Sequence, residues 1–197
     1  MPRKPIEAIV IGGSAGGLSA LSTLLSGLPA DFRLPIAAVL HVPPTRHAML
    51  AEVLAPRCAL AVREAEDKEP VAAATVYIAA PNYHLLIEKT RTFSLSVDDP
   101  VNFSRPAIDV LFESAAYAYG PALAGVVLTG ASADGALGLL RIAEAGGTAI
   151  VQHPDSATAR AMPEAALRSV PGARVVRLED MAASLLDLTA ARALEET

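Results

Sequence analysis

The sequence predicts an α/β fold: a doubly wound, mostly parallel sheet with helices on both faces and an antiparallel hairpin at one edge. Short apolar runs alternate with helix-like stretches along most of the chain. That order builds parallel sheets with crossover helices. The strongest runs end in turns rich in glycine and small residues, "GGSAGG" (12–17) and "TGASADGALG" (129–138). Between residues 75 and 97 the apolar runs come closer together and the last two alternate in polarity, as paired antiparallel strands do.

The elements follow in order. "EAIVI" (7–11) reads as a buried strand and 18–28 as the helix after it. "PIAAVLHV" (35–42) is a second strand. A helix over about 45–55 follows, with Thr45 placed to cap it. "TVYIA" (75–79), "HLLIEK" (84–89) and "TFSLSV" (92–97) are short strands, the last two joined through Thr90 and Arg91 as a hairpin. "LAGVVLT" (123–129) is a third strong strand, followed by a helix from about Asp134 to Ala145. "GGTAIVQ" (146–152) stops that helix and opens another strand. "RVVRL" and 179–194 supply a last strand and an amphipathic helix. Residues 1–197 read as a single domain whose first strand leaves no room for a preceding one.

Composition removes several function classes. Hydrophobic residues make up 52% and charged residues 19% of the 197, which supports a core and argues against disorder. No apolar run approaches the roughly 20 residues that span a bilayer, so no direct membrane insertion is expected. "MPRKP" is followed by too short an apolar stretch for a signal peptide. The net charge of −5, without a basic run, gives no reason to expect nucleic-acid binding. The single cysteine, Cys58, cannot form an internal disulfide, which fits a cytoplasmic location. It reads as structural.

The loop "GGSAGG" supports three readings. One is a tight strand-to-helix turn in which glycines reach conformations closed to other residues. A second is a dinucleotide site, but Ser14 replaces the middle glycine of G-x-G-x-x-G, and the second strand ends in His41 instead of an acidic residue. In the third, Gly12-x-Ser14-x-Gly16 matches G-x-S-x-G, the sharp turn that exposes a nucleophilic serine. A serine hydroxyl needs a base. In a doubly wound sheet such groups collect at the carboxyl ends of the strands. The second strand ends in His41, and the strand at 123–129 leads into Asp134. Taken singly, His41 reads as a structural histidine and Asp134 as a helix cap. Their joint placement with Ser14 supplies the hydroxyl, imidazole and carboxylate of a serine hydrolase. The order Ser…His…Asp, with serine after the first strand, differs from that of α/β-hydrolases.

Several separated segments then carry a resemblance. "IGGSAGG", "HVPP", "VREAEDKEPVAAATVYIAAPNYH", "RPAIDVLFESAA", "GVVLTGASADGA" and "AMPEAAL", in that order, resemble the catalytic domain of the CheB-type chemotaxis protein-glutamate methylesterases over roughly residues 6–170. The resemblance implies a cytoplasmic serine esterase that hydrolyses glutamyl methyl esters on methyl-accepting chemoreceptors and also deamidates certain receptor glutamines. It needs no cofactor and no metal. The family nucleophile falls on Ser14, its histidine on His41, its aspartate on Asp134 and its oxyanion-hole residue on Ala131, acting through the backbone N–H. Arg105 and Met162 are implied as substrate-binding candidates. The chain departs from the family pattern at Ala15, Ala131, Ser132 and Ala133, and at Ser104, where a histidine is common. These changes fall on substrate selection. The family's usual receiver domain has no counterpart in the sequence, so control through a separate receiver or adaptor protein is one expectation. Two other readings stay open: an esterase or amidase acting on another protein or a small ester, and a receptor-docking module without turnover. Of the remaining histidines, His47 reads as solvent-facing and His84 as structural, while His153 follows a strand end and is open to either reading, a place at the border of the site being the less favoured one. Asp98 and Asp99 read as a solvated turn.

Overall fold

Ala8–Gly13 (β1) is buried along its whole length, as only a strand covered on both faces can be. In the computed structural model, which describes residues 4–42 and 50–193, β1 is the middle strand of a seven-stranded sheet. The other members are Ile36–Leu40 (β2), Ala61–Glu64 (β3), Thr75–Ile78 (β4), Leu123–Val127 (β7), Thr148–Gln152 (β8) and Arg174–Val176 (β9). Their order is β3-β4-β2-β1-β7-β8-β9, and every pairing is parallel. From β1 the chain steps to β2, crosses to the edge strand β3, returns to β4 between them, and restarts at β7 on the other side of β1. The crevice at the carboxyl ends of β1 and β7 is therefore the switch point where such sheets place ligands.

Helices cover both faces, as the sequence predicts. Gly17–Ser26 (α1), Leu50–Leu54 (α2) and Met181–Ala193 (α6) lie on one face, where Leu21, Leu24 and Leu25 meet Ile9, Ile11 and Leu40. Ile108–Tyr119 (α3), Ala136–Glu144 (α4) and Ala161–Ser169 (α5) cover the other, where Leu111, Phe112 and Leu139 meet Val10, Val39 and Val127. The expected cap Thr45 and His47 lie outside the described residues.

His84–Ile87 (β5) and Phe93–Ser96 (β6) form the expected antiparallel hairpin. It makes a sheet of its own near the β4 end and packs on α3, with Ile87 N–H donating to Ser114 Oγ at 3.2 Å. The rings of Phe93 and Tyr77, on β4, lie 4.6 Å apart. The sheet edge itself is occupied by β3.

Three elements had no clear sequence signal. β3 is short and mostly exposed, so no apolar run marks it. α3 begins after Ala107 with no side-chain cap of its own. α5 likewise lacks a local cap and carries Pro163 in its first turn, where proline is tolerated although it reads as a breaker.

Candidate active site

The parallel register brings three strand ends together. Gly13 lies opposite Leu40, and Gly12 opposite Val127. One residue further on, Ser14 leaves β1 beside His41 leaving β2, and His41 N–H donates to Gly13 O at 3.0 Å. Ser14 N–H donates to Thr129 O at 2.9 Å, which ties the serine turn to the loop after β7. Ser14 and His41 line one cleft of about 490 Å³, with Ala15, Val42, Val53 and Arg57 around them.

The turn after Ser14 depends on glycine. Gly16 has φ +78°, and a Cβ there would sit 2.6 Å from Thr158 Cβ. It also starts α1, and the Gly17 N–H closes the turn on Ser14 O at 2.7 Å. The positive end of the α1 dipole therefore faces the serine.

Asp134 comes from the loop between β7 and α4. Its Oδ2 lies 2.8 Å from His41 Nε2, with the aspartate side chain fully buried. The contact is close without being linear, since Nε2 has no partner within hydrogen-bonding angles. Nε2 faces the aspartate, so Nδ1 is the ring nitrogen free of it. This is the reverse of the commonest triad arrangement.

Asp134 does not cap its own helix. Gly135, at φ +92°, is the N-cap of α4. The Asp134 carboxylate instead caps α3: Oδ2 accepts Ile108 N–H at 2.7 Å and Oδ1 accepts Asp109 N–H at 3.1 Å. Asn102 Nδ2 donates to the same Oδ1 at 2.8 Å. Burial works to raise this carboxyl. His41, Ile108 N–H, Asn102 and Asp109 N–H together outweigh it and hold its pKa below the ordinary aspartate value. The group opposite His41 therefore stays anionic at neutral pH.

Donors for a developing oxyanion are also at hand. Among the described residues, the N–H groups of Ala15, Gly16 and Ala131 donate to no protein acceptor. Thr129 joins the two loops that carry them. Its N–H donates to Gln152 Oε1 at 2.8 Å, and its Oγ1 donates to Ala15 O at 2.9 Å and accepts Ala159 N–H at 2.8 Å. Thr129 and Gln152 are both buried. Sequence reasoning assigned neither a role, and it gave none to Asp109 or Asn102. The quoted "RPAID" segment contained the signal for Asp109, but its partners lie far away in the chain.

The other candidates separate. Arg105 borders a smaller cavity of about 180 Å³ that also reaches His41 and Phe103. Its Nη1 donates to Val97 O and Asp98 O, so the guanidinium also staples two loops. Met162 does not face the cleft. It is 1% exposed, and its N–H donates to Gly130 O at 2.9 Å. A Cβ on Gly130 would sit 2.6 Å from its sulfur. Met162 thus supports the loop before Ala131 from beneath, a correction to its expected contact with substrate. His84 is buried and structural: its Nδ1 accepts Ala107 N–H at 3.2 Å, and Nε2 meets Asp99 O at 3.1 Å. His153 accepts Asp155 N–H in a short turn after β8. Burial pushes the Cys58 thiol up, which makes it a poor nucleophile. Among the described residues, no cluster of three or more His, Cys, Asp or Glu side chains could hold a metal, and no helix is long and apolar enough to cross a membrane.

Comparison with known proteins identifies the family. Residues 9–185 match the family model for CheB methylesterase. The crystal structure of the Thermotoga maritima CheB methylesterase catalytic domain superposes with a TM-score of 0.89 at 32% identity, covering 94% of this chain and 100% of that one. A Leptospira interrogans protein named for methylesterase and glutaminase activities is 48% identical over 176 residues, which are 89% of this chain and 91% of that protein. The protein-glutamate methylesterase/protein-glutamine glutaminase of Trichodesmium erythraeum is 41% identical over 162 residues, 80% of this chain. This chain spans only 46% of that relative. With a match over nearly its whole length and a superposable fold, the chain belongs to the CheB methylesterase family.

Proposed function

We propose that this chain hydrolyses glutamyl methyl esters on the cytoplasmic helices of methyl-accepting chemoreceptors, releasing methanol, and also deamidates receptor glutamines. Ser14 is the nucleophile, His41 the general base and acid, and Asp134 the carboxylate that orients the imidazole. The reaction runs in the cytoplasm, and residues 1–197 act as one catalytic domain. The observation that carries the reading is the meeting of three strand ends: Ser14 and His41 on one cleft, with Asp134 Oδ2 2.8 Å from His41 Nε2.

His41 takes the Ser14 hydroxyl proton as Oγ attacks the ester carbonyl. The oxyanion is received by free N–H groups at Ala131 and at the start of α1. Collapse expels methoxide, which takes the proton from His41 and leaves as methanol. Water then attacks the acyl-enzyme, again losing a proton to His41. The proton returns to Ser14 Oγ, and glutamate remains on the receptor. With a glutamine side chain the leaving group is ammonia. Asp134 stabilises the imidazolium formed in each half.

The test is methanol release from methylated chemoreceptor cytoplasmic fragments by the wild-type protein and by Ser14→Ala, with circular dichroism on both. The expected result is loss of release with an unchanged spectrum. Turnover retained by Ser14→Ala would remove the serine from its role. Hydrolysis of small esters without release from receptor fragments would move the substrate elsewhere.

A further inference from the structure

Beside Asp134 lies a second buried carboxylate that the reaction does not use. Asp109 is 7% exposed and sits in the first turn of α3. Its Oδ1 accepts Gly135 N–H at 2.9 Å and Gly138 N–H at 2.7 Å, which caps the start of α4. Its Oδ2 accepts from Asn102 Nδ2 at 2.8 Å, and the same nitrogen donates to Asp134 Oδ1 at 2.8 Å. One amide thus gives a hydrogen to each of two neighbouring anions.

Asn102 reaches them from a tight turn. Val101 and Ser104 exchange both backbone hydrogen bonds, at 3.1 and 2.9 Å, while Asn102 and Phe103 take φ +52° and +60°. Asparagine tolerates that conformation better than most residues. Arg105 and His84 pin the flanking backbone at Val97, Asp98 and Asp99. The Asn102 amide is therefore set on a braced turn and aimed inward.

The division of labour on Asp134 follows from its partners. Oδ1 is occupied by Asn102 and Asp109 N–H, and Oδ2 by Ile108 N–H and His41. A carboxylate held by two donors at Oδ1 cannot rotate away from the imidazole. The paired negative charges would otherwise push apart. We propose that Asn102 and Asp109 are positioning residues for catalysis: Asn102 locks the Asp134 carboxylate so that Oδ2 faces His41, and Asp109 holds the loop that carries it. This rests on the reading of Ser14, His41 and Asp134 as the reacting set.

The experiment measures kcat, KM and the pH profile of methanol release for Asn102→Ala and Asp109→Asn, beside wild type and Ser14→Ala, with circular dichroism and melting curves. Asn102 lies on an exposed loop, and Asp109→Asn keeps an oxygen for the Gly135 and Gly138 N–H groups, so both variants are expected to fold. The expected loss is in kcat, roughly 10- to 100-fold, as when supporting shells around metal ligands are removed. KM should stay nearly unchanged. Among the described residues, the charged groups around His41 are Asp134 directly, Asp109 behind it, Arg57 across the main cleft and Arg105 across the smaller one. Removing the Asn102 amide leaves Asp134 less neutralised, so the acidic limb of the profile should move to higher pH. Removing the Asp109 charge should move it lower. A purely structural role would shift melting temperature and leave both limbs in place. Wild-type kcat and profile in both variants, with Ser14→Ala inactive, would overturn this proposal alone. Activity in Ser14→Ala would overturn the site reading and this proposal together. If Asn102→Ala loses its fold, Asp109→Asn decides.

Discussion

Asp134 Oδ2 accepts the N–H of Ile108 at 2.7 Å, and Asp109 Oδ1 accepts the N–H of Gly138 at 2.7 Å. Each aspartate therefore caps the helix whose start belongs to the other. α3 and α4 have no side-chain caps of their own. Their first turns are fixed only when the two loops meet. The same contact that starts α3 sets the carboxylate opposite His41, so stability and chemistry share one set of hydrogen bonds.

Asp134→Asn is expected to lower turnover by up to about 10⁴, the effect of the same change in a well-studied triad. It also removes a buried anion whose folded-state pKa is depressed. The folded protein binds that proton more weakly than the unfolded chain. The associated stability is present above about pH 4, the ordinary aspartate range, and is lost as pH falls through the depressed value. Urea midpoints of wild type and variant should differ most near neutrality and converge on acidification. A gap that stays constant with pH would contradict the assignment.

Thr129→Val keeps the shape of a buried side chain and deletes its hydroxyl. Ala15 O and Ala159 N–H then lose a partner. The expected cost is about 1–3 kcal/mol, the range for stranded buried polar groups. Methanol release should fall as well, because the hydroxyl joins the Ser14 turn to the Ala131 loop. Denaturant titration and the receptor assay measure the two effects separately.

Gly12→Ala puts a Cβ 2.3 Å from Ile108 Cγ2. Overpacking of this kind costs roughly 1–3 kcal/mol. It also displaces the residue whose N–H holds Asp134. A double-mutant cycle with Ile108→Ala should show favourable coupling, the pair being less destabilised than the sum of the two singles. Simple additivity would show that the crowding is relieved elsewhere.

Met162→Ala is expected to cost about 2–5 kcal/mol as a core truncation, whereas Met162→Leu, nearly volume-conserving, should cost less than about 1.5 kcal/mol. Because Met162 supports Gly130 from beneath, melting temperature and kcat should move together in the alanine variant and KM should not. A change confined to KM would return Met162 to the substrate-binding surface.

The parallel sheet was legible in the sequence because β1, β2, β7 and β8 are buried on both faces, and continuous apolar runs announce that. The placement of Ser14 and His41 at neighbouring strand ends was legible for a related reason. Functional groups in such sheets follow strand ends, and those ends can be counted along the chain. Asp134 was found by the same rule, but its local signal pointed to a cap on the helix that follows it. In space it caps α3. That helix went unseen because its start signal is a residue 26 positions away from Ile108. The hairpin was visible as two alternating runs. Its place over α3 was not, since alternation specifies a pair of strands and says nothing about what they pack on. Local periodicity, turn residues and strand ends depend on neighbours in sequence, and these the sequence by itself determined. The swapped caps, the Asn102 bridge, the turn of His41 Nε2 toward Asp134 and the burial of Met162 depend on atoms that approach only after the sheet has closed. Those the tertiary structure decided, because hydrogen bonds and burial are set by distance in space, whatever the separation along the chain.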